Sequence, residues 1–307
     1  MRRLLFTSFI AIAAVMAGCS LGSFERTTYL NSPVDTLDEN PVEPAAEPSE
    51  PAQPAAPIVI YGDTRTGHTV HIQIIRQIVE QAPLTVFHVG DLVDDGDIQT
   101  NWDRFNDITA PMRQNAEFFP AIGNHEKMSD KYFDNFDLPG NEQWYSVERN
   151  YIHFVILNSC VEFNPGSDQY EWLEQDLAAV PDSIKWTIAM FHHPAYSVGS
   201  YLGPDSVVRA ALVPLFDRYS VDMVFAGHDH NYQRFYNGRY YIVTGGGGAP
   251  LESVNMNHPF IQRAEKQYHF CRLDVKGDSL HVSVIDTSGQ QIDDWRVGGS
   301  NFNLNVD

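Results

Sequence analysis

The residues able to do chemistry in this chain fall in short polar clusters, most of them directly after an apolar run. In order they are Asp63 in GDTR, Asp91 in GDLVDDG, Asn124 and His125 in GNHE, His192 and His193 in FHHP, and His228 with His230 in GHDH. Carboxylate, amide and imidazole are the donors needed to hold two divalent ions around one bridging carboxylate. Such ions, about 3.5–4 Å apart, clamp the attacking and leaving oxygens of a phosphoryl group. Imidazoles and a neutral amide complete the shells without surplus negative charge that would repel a phosphate, and a further histidine can protonate the departing alkoxide. Taken singly, each cluster has a plainer reading. Asp or Asn after a strand commonly caps a helix, and a lone loop histidine is often only hydrogen-bonded in place. The order and number of the clusters favour the metal reading.

The elements that must position these residues are legible in outline. Ile58-Val59-Ile60-Tyr61 is a short buried-strand pattern leading into Asp63. A helix is predicted over Thr69 to Gln81, with Ile72, Ile75, Ile78 and Val79 at helical spacing. Strands follow at Leu84 to Val89, before Asp91, and at Phe118 to Ile122, before Asn124, with a helix from Asn101 to Met112 between them. Two strands are read at Trp144 to Val147 and Tyr151 to Asn158, then a helix over Asp168 to Ala179. The strand Trp186 to Phe191 runs into His192, the helix Asp205 to Tyr219 follows, and Val221 to Ala226 runs into His228. From Tyr240 to about Val297 the pattern is mostly strand. Alternating strands and helices mark an α/β fold. In such sheets ligands bind at the carboxyl ends of the strands, where these clusters fall. The run Gly245 to Gly248 lets backbone approach closely and is placed as a wall beside the site; a flexible loop is its alternative. Trp102, Tyr132, Tyr196, Tyr201 and Tyr232 are candidates for a substrate cleft, with core packing the more frequent fate of such aromatics.

The chain has 307 residues and a formal net charge of -20, which argues against nucleic acid as the main partner. Arg2, Arg3 and the apolar stretch Leu4 to Ala17 read as a targeting segment, too short for a confident membrane span. It ends in Met16-Ala17-Gly18-Cys19, similar to the lipobox of a bacterial lipoprotein. Residues 1–19 are therefore expected to be a lipoprotein-type signal peptide with Cys19 lipidated, and an ordinary signal peptide cut nearby is the alternative. Either way the chain is expected to be exported; with the lipid on Cys19 it would be tethered to a membrane, with the outer membrane or periplasmic face as its place. Residues 20–56, rich in Pro, Ala and Glu, are expected to be a disordered tether, and 57–307 one folded domain. Cys160 and Cys271 read as two separate buried thiols in preference to a disulfide.

The order D…GDxxD…GNHE…H…GHxH resembles the calcineurin-like metallophosphoesterase superfamily. The segments FHHPAYS, GHDHNYQR and IVTGGGGAP are similar to its purple-acid-phosphatase-like branch. The likeness spans roughly Ile58 to Leu251. It implies an αββα sandwich of two mixed sheets flanked by helices. It also implies a small phosphate ester as substrate, hydrolysed by a hydroxide bridging two Fe, Mn or Zn ions. A phosphomonoesterase is the first reading and a phosphodiesterase or nucleotidase the second. A surface binding protein on a degenerate scaffold is the reading from another class. Position by position, the resemblance makes Asp63 a ligand of the first metal and Asp91 the bridge. Asn124, His192 and His228 complete the second metal, and His230 returns to the first. His125 matches the proton donor, and Asp94 the acid that orients it and raises its pKa. Two departures stand out. Arg65 occupies the position where many relatives carry a further first-metal histidine, and Asp94 stands where purple acid phosphatases carry a tyrosine. His68 is a candidate substitute for the missing histidine, with water as the alternative. Arg65 either binds substrate phosphate in a bidentate way or pairs with a neighbouring acid. His193 either touches substrate or packs beneath Pro194.

Overall fold

In β1 (Ile58–Tyr61) all four residues are buried, Ile58 and Ile60 toward one layer and Val59 and Tyr61 toward another. A strand buried on both faces needs cover on both sides, which is why this apolar run does not alternate with polar residues. The computed structural model describes residues 55–199 and 205–298. The expected leader with Cys19, the tether up to residue 54, and Tyr201 lie outside those residues.

β1 runs parallel to β2 (Thr85–His88), and β2 parallel to β3 (Glu117–Pro120). On its other side β1 is antiparallel to β11 (His269–Lys276), which leads to β12 (Ser279–Asp286) and β13 (Gln291–Gly298). These six strands form the first sheet. The second sheet has seven, in the order β10 (Ile261–Glu265), β8 (Tyr232–Tyr236), β9 (Tyr240–Thr244), β7 (Met223–Ala226), β6 (Trp186–Met190), β5 (Ile152–Ile156) and β4 (Tyr145–Arg149). Its centre, β5-β6-β7-β9, is parallel, and its edges are antiparallel.

The two sheets pack face to face. Phe87 of the first lies 4.3 Å from Phe154 of the second, ring centre to ring centre, in a core that also holds Ile60, Ile156, Ile188, Met190, Phe225 and Ile242. Burying each such side chain contributes roughly 1.5–3 kcal/mol, so the interface between the sheets is strongly held. Helices α1 (His68–Glu80) and α2 (Gln99–Arg113) cover the outer face of the first sheet through Ile74, Ile75, Ile78, Ile108 and Met112. α4 (Asp168–Ala178) and α5 (Asp205–Arg218) cover the second through Leu173, Leu177, Leu212 and Phe216. A short helix, α3 (Asp130–Asn135), was not expected from the sequence. The expected αββα sandwich is the observed fold.

Two details differ from the sequence reading. In α1 the buried face is His71, Ile74, Ile75 and Ile78, while Ile72 and Val79 are 38% and 41% exposed. Four isoleucines and two valines give more than one apolar stripe, and only docking on the sheet selects between them. Tyr232, Gln233 and Phe235 belong to strand β8, whose polar sequence hides its pairing to β9. The aromatics Trp102, Tyr132, Tyr196 and Tyr232 are all core residues, at most 5% exposed. Cys160 and Cys271 are separate free thiols, and burial pushes each up to about 12.

Candidate metal centre

Every polar cluster sits beyond the carboxyl end of a parallel strand, on a loop or, for Asn124 and His125, on a single 3-10 turn (Asn124–Glu126). Asp63 follows β1, Asp91 follows β2, Asn124 and His125 follow β3, His192 and His193 follow β6, and His228 follows β7. Three of these residues, Asp63, Asp91 and His228, have positive φ of 58°, 56° and 73°. Such backbone costs on the order of 1–3 kcal/mol where a side chain is present, and it persists only where surroundings enforce it. Each is enforced here by hydrogen bonds. The His228 N–H donates to both Asp63 carboxylate oxygens at 3.0 and 3.1 Å, although the two residues are 165 positions apart. The Asp63 N–H donates to the Gly90 carbonyl at 3.0 Å. The Asp91 N–H donates to Glu126 Oε2 at 2.9 Å.

Close approach also requires glycine at two junctions. A Cβ on Gly227 would stand 2.3 Å from Asp63 Oδ2, and one on Gly123 would stand 2.4 Å from Asp91 Oδ1. The Gly245–Gly248 run packs against the same loop. Gly247 N–H donates to Gly62 O at 2.8 Å, and Ala249 N–H to Asp63 O at 2.8 Å, so this run is the expected wall.

Asp91, Asn124, His192 and His228 converge most tightly. The His192 Nδ1–H donates to the Val89 carbonyl at 3.0 Å, which leaves Nε2 with a lone pair. That Nε2 lies 3.1 Å from Asn124 Oδ1, 3.3 Å from Asp91 Oδ1 and 3.2 Å from His228 Nδ1. Burial, and then the neighbouring imidazoles, hold His192 well below the ordinary histidine pKa and His228 at about 3. Both rings are therefore neutral at pH 7. Three acceptors, a carboxylate oxygen, an amide oxygen and an imidazole nitrogen, meet here; apart from the His125 N–H on Asp91 Oδ1, they share at most the one proton that His228 Nδ1 can offer. Buried acceptors left facing one another are costly. A divalent cation satisfies all of them at once, so the donor set fits a metal.

The other half is looser. His230 donates Nδ1–H to the Pro250 carbonyl at 3.0 Å and turns Nε2 toward Asp63 Oδ1, 3.7 Å away. Burial and the nearby Asp91 charge push the Asp63 carboxyl well above the usual carboxylate range. A cation between the two acids would relieve that repulsion. Arg65 stands at this half, with Nε 3.4 Å from Asp91 Oδ2 and Nη2 3.5 Å from His230 Nε2. His68 is exposed at the start of α1, and among the described residues it joins neither cluster of potential metal ligands.

His125 lies at the rim with its side chain about a quarter exposed. Its N–H donates to Asp91 Oδ1 at 3.1 Å. Its ring is held differently from expectation. Nδ1–H donates to the main-chain carbonyl of Asp94 at 2.6 Å, while the Asp94 carboxylate is 3.9 Å away and half exposed. The backbone of the Asp91 loop orients this imidazole, and the Asp94 side chain contributes charge at a distance. Nε2 is left facing the site, 3.9 Å from Asp91 Oδ2.

Residues 56–232 match the family of calcineurin-like phosphoesterases. The chain belongs to the calcineurin-like phosphoesterase family. Purple acid phosphatase 23 of Arabidopsis thaliana is 32% identical over 183 residues, 52% of this chain and 40% of that protein. Acid phosphatase type 7 of Mus musculus is 26% identical over 293 residues, 78% of this chain and 67% of that one. A purple acid phosphatase from yellow lupin (Lupinus luteus) seeds superposes with a TM-score of 0.70 at 22% identity, covering 79% of this chain and 53% of that chain. Within that family the chain is similar to purple acid phosphatases, and it spans less than half the length of the plant relative in sequence.

Two residues that support the site were not singled out from the sequence. Glu126, in GNHE, is fully buried and accepts four backbone N–H bonds, from Leu92, Val93, Asp91 and Gly123, at 2.7 to 3.3 Å. It ties the Asp91 and Asn124 loops together. Both of its oxygens accept, which is the work of a carboxylate, while burial and the Asp91 charge push its pKa up to about 8. The glutamate three residues after Gly123 was a readable signal, since that spacing reaches back to loop N–H groups. Ser159 holds His193. Its Oγ accepts the His193 N–H at 3.0 Å, and its hydroxyl donates to His193 Nδ1 at 2.9 Å, which leaves the ring proton on Nε2 of an imidazole that packs against His192 and His228. Nothing local in the sequence marks Ser159.

Proposed function

We propose that this protein is a metal-dependent phosphoester hydrolase that works best on phosphomonoesters. The convergence of Asp91, Asn124, His192 and His228 beside the rim histidine His125 carries the reading. Asp91, Asn124, His192 and His228 would hold one cation, and Asp63, Asp91 and His230 the other. Two such cations supply charge neutralisation for the phosphoryl oxygens and a water of lowered pKa. Fe, Mn and Zn all suit this oxygen and nitrogen donor set.

The chain's own residues have separable tasks. His125 gives the proton that the leaving oxygen needs. Because its Nδ1–H is spent on the Asp94 carbonyl, the transferable proton sits on Nε2 and faces the centre. The His193 Nε2–H and the Arg65 guanidinium are donors for non-bridging phosphate oxygens. A second fixed cation suits a dianionic monoester more than a monoanionic diester. The phosphatase names of the relatives point the same way. The leader at residues 1–19, with lipid on Cys19, belongs to the same proposal and places the enzyme on a membrane after export. Mass spectrometry of the N-terminus of membrane-extracted protein tests that part.

Assay of the purified protein with Mn, Zn or Fe on paired mono- and diesters tests the substrate class. Monoester turnover is expected to dominate, and diester rates higher by orders of magnitude would overturn it in favour of a phosphodiesterase or nucleotidase. Arg65 among the acids favours a second reading, a binding protein on a degenerate scaffold. His125→Ala separates the two. An enzyme loses about 10²–10⁴-fold in rate, the usual range for a general acid, whereas a binder keeps its phosphate affinity.

A further inference from the structure

The two halves of the centre are unequal, and Arg65 is the reason. In the half built on Asn124, His192 and His228, the donor atoms face one another at 3.1 to 3.3 Å. In the other half the atoms that would face a cation face a guanidinium. Asp91 Oδ2 is 3.4 Å from Arg65 Nε, and His230 Nε2 is 3.5 Å from Arg65 Nη2. A third contact, Nη1 to Asp94 Oδ1 at 3.4 Å, holds the fork from the solvent side. All three contacts are long for charge-assisted hydrogen bonds, which normally fall at about 2.7–2.9 Å. The guanidinium is loosely held by three partners and tightly held by none. It carries a positive charge at any working pH, and its side chain is 21% exposed. Arg65 and Asp94 also line a cavity of about 260 Å³ with Thr66, His68 and Asn101, so the fork has room to swing away.

We propose that Arg65 is a built-in cation occupying the first-metal half of the resting protein. The chain then retains one metal ion, at Asp91, Asn124, His192 and His228. It admits the second only when the guanidinium leaves Asp91 and His230. A phosphate group is the ligand chemistry that draws it away, because it offers the fork a bidentate partner that Asp91 and Asp94 do not. This rests on the metal reading above and adds an order of assembly: tight ion, phosphate, second ion.

The test counts metal, not turnover. Full-length protein is stripped with chelator, loaded with excess Zn²⁺ or Mn²⁺, desalted, and analysed for metal per chain by mass spectrometry. The expected values are one ion for the wild type, two for the wild type desalted in inorganic phosphate, and two for Arg65→Met without phosphate. Arg65→Ala serves as a second variant, and thermal melting of both checks that they fold. Two ions in the wild type without phosphate would overturn this proposal alone. One ion in both Arg65 variants would also overturn it, since the guanidinium would not be the obstacle. No retained ion in any form would sink the metal reading itself along with it.

Discussion

The first sheet supplies the acids and the amide of this centre, and the second supplies the imidazoles that would bind metal. Asp63, Asp91 and Asn124 rise from β1, β2 and β3, whereas His192 and His228 rise from β6 and β7. The two sets are held by opposite chemistry. The acidic loops are fixed by N–H groups: His228 N–H on Asp63, His125 N–H on Asp91, and four N–H groups on Glu126. The imidazoles are fixed by carbonyls, Val89 for His192 and Pro250 for His230. An N–H donor stabilises a carboxylate, and a carbonyl acceptor fixes a neutral tautomer with its other nitrogen bare. Each half is therefore prepared as an electron-pair donor. Two of these supports cross between the sheets, so the centre exists only when both sheets are packed.

That contrast can be attacked from both sides. Asp91 serves both halves, and Asp91→Asn should have the largest effect, abolishing cation retention and reducing hydrolysis to background. Metal analysis alongside a monoester assay checks it. Glu126→Gln strikes the N–H side. It replaces two acceptor positions with an NH₂ group, leaving two buried N–H groups unpaired at about 1–3 kcal/mol each. A lowered urea midpoint and metal affinity reduced about 10–100-fold are expected, the usual consequence of losing an outer-shell support. Ser159→Ala strikes the imidazole side more gently. Losing both hydrogen bonds to His193, about 1 kcal/mol each, should raise KM several-fold while metal content stays unchanged.

A last test concerns pH. His269 is fully buried, donates to the Gln267 carbonyl and meets the Thr244 hydroxyl; burial lowers its pKa to about 4. The unfolded chain, near the ordinary value of 6.5, binds this proton first. Its contribution to stability is therefore complete above pH 6.5 and lost as pH falls toward 4, by up to about 1.4 kcal/mol per pH unit. His269→Gln should flatten the pH dependence of unfolding free energy in that window by about this slope. An unchanged slope would mean that the ring protonates in the folded protein.

Most of the elements were readable because their signals are local. The apolar run of β1 and the polar residue types beyond each strand end are properties of neighbouring positions. Where local signals were redundant, as in the apolar stripes of α1, docking chose Ile74 over Ile72. Where they were absent, as at Ser159 or in polar β8, pairing partners decided the outcome. Asp94 marks the same boundary. Its position three residues after Asp91 suggested a carboxylate partner for His125, but the loop turned its carbonyl to that ring instead.

By itself, then, the amino-acid order determined which donors exist, on which strand ends they stand, and to which family they belong. It did not determine how they face one another. The meeting of Asp63 with His228, the lone pair left bare on His192 and the entry of Arg65 into the acidic half come from packing one sheet against the other. The physical reason is range. Backbone periodicity acts over a few residues, whereas a coordination sphere is closed by side chains brought together across the sequence only when the inter-sheet core is buried.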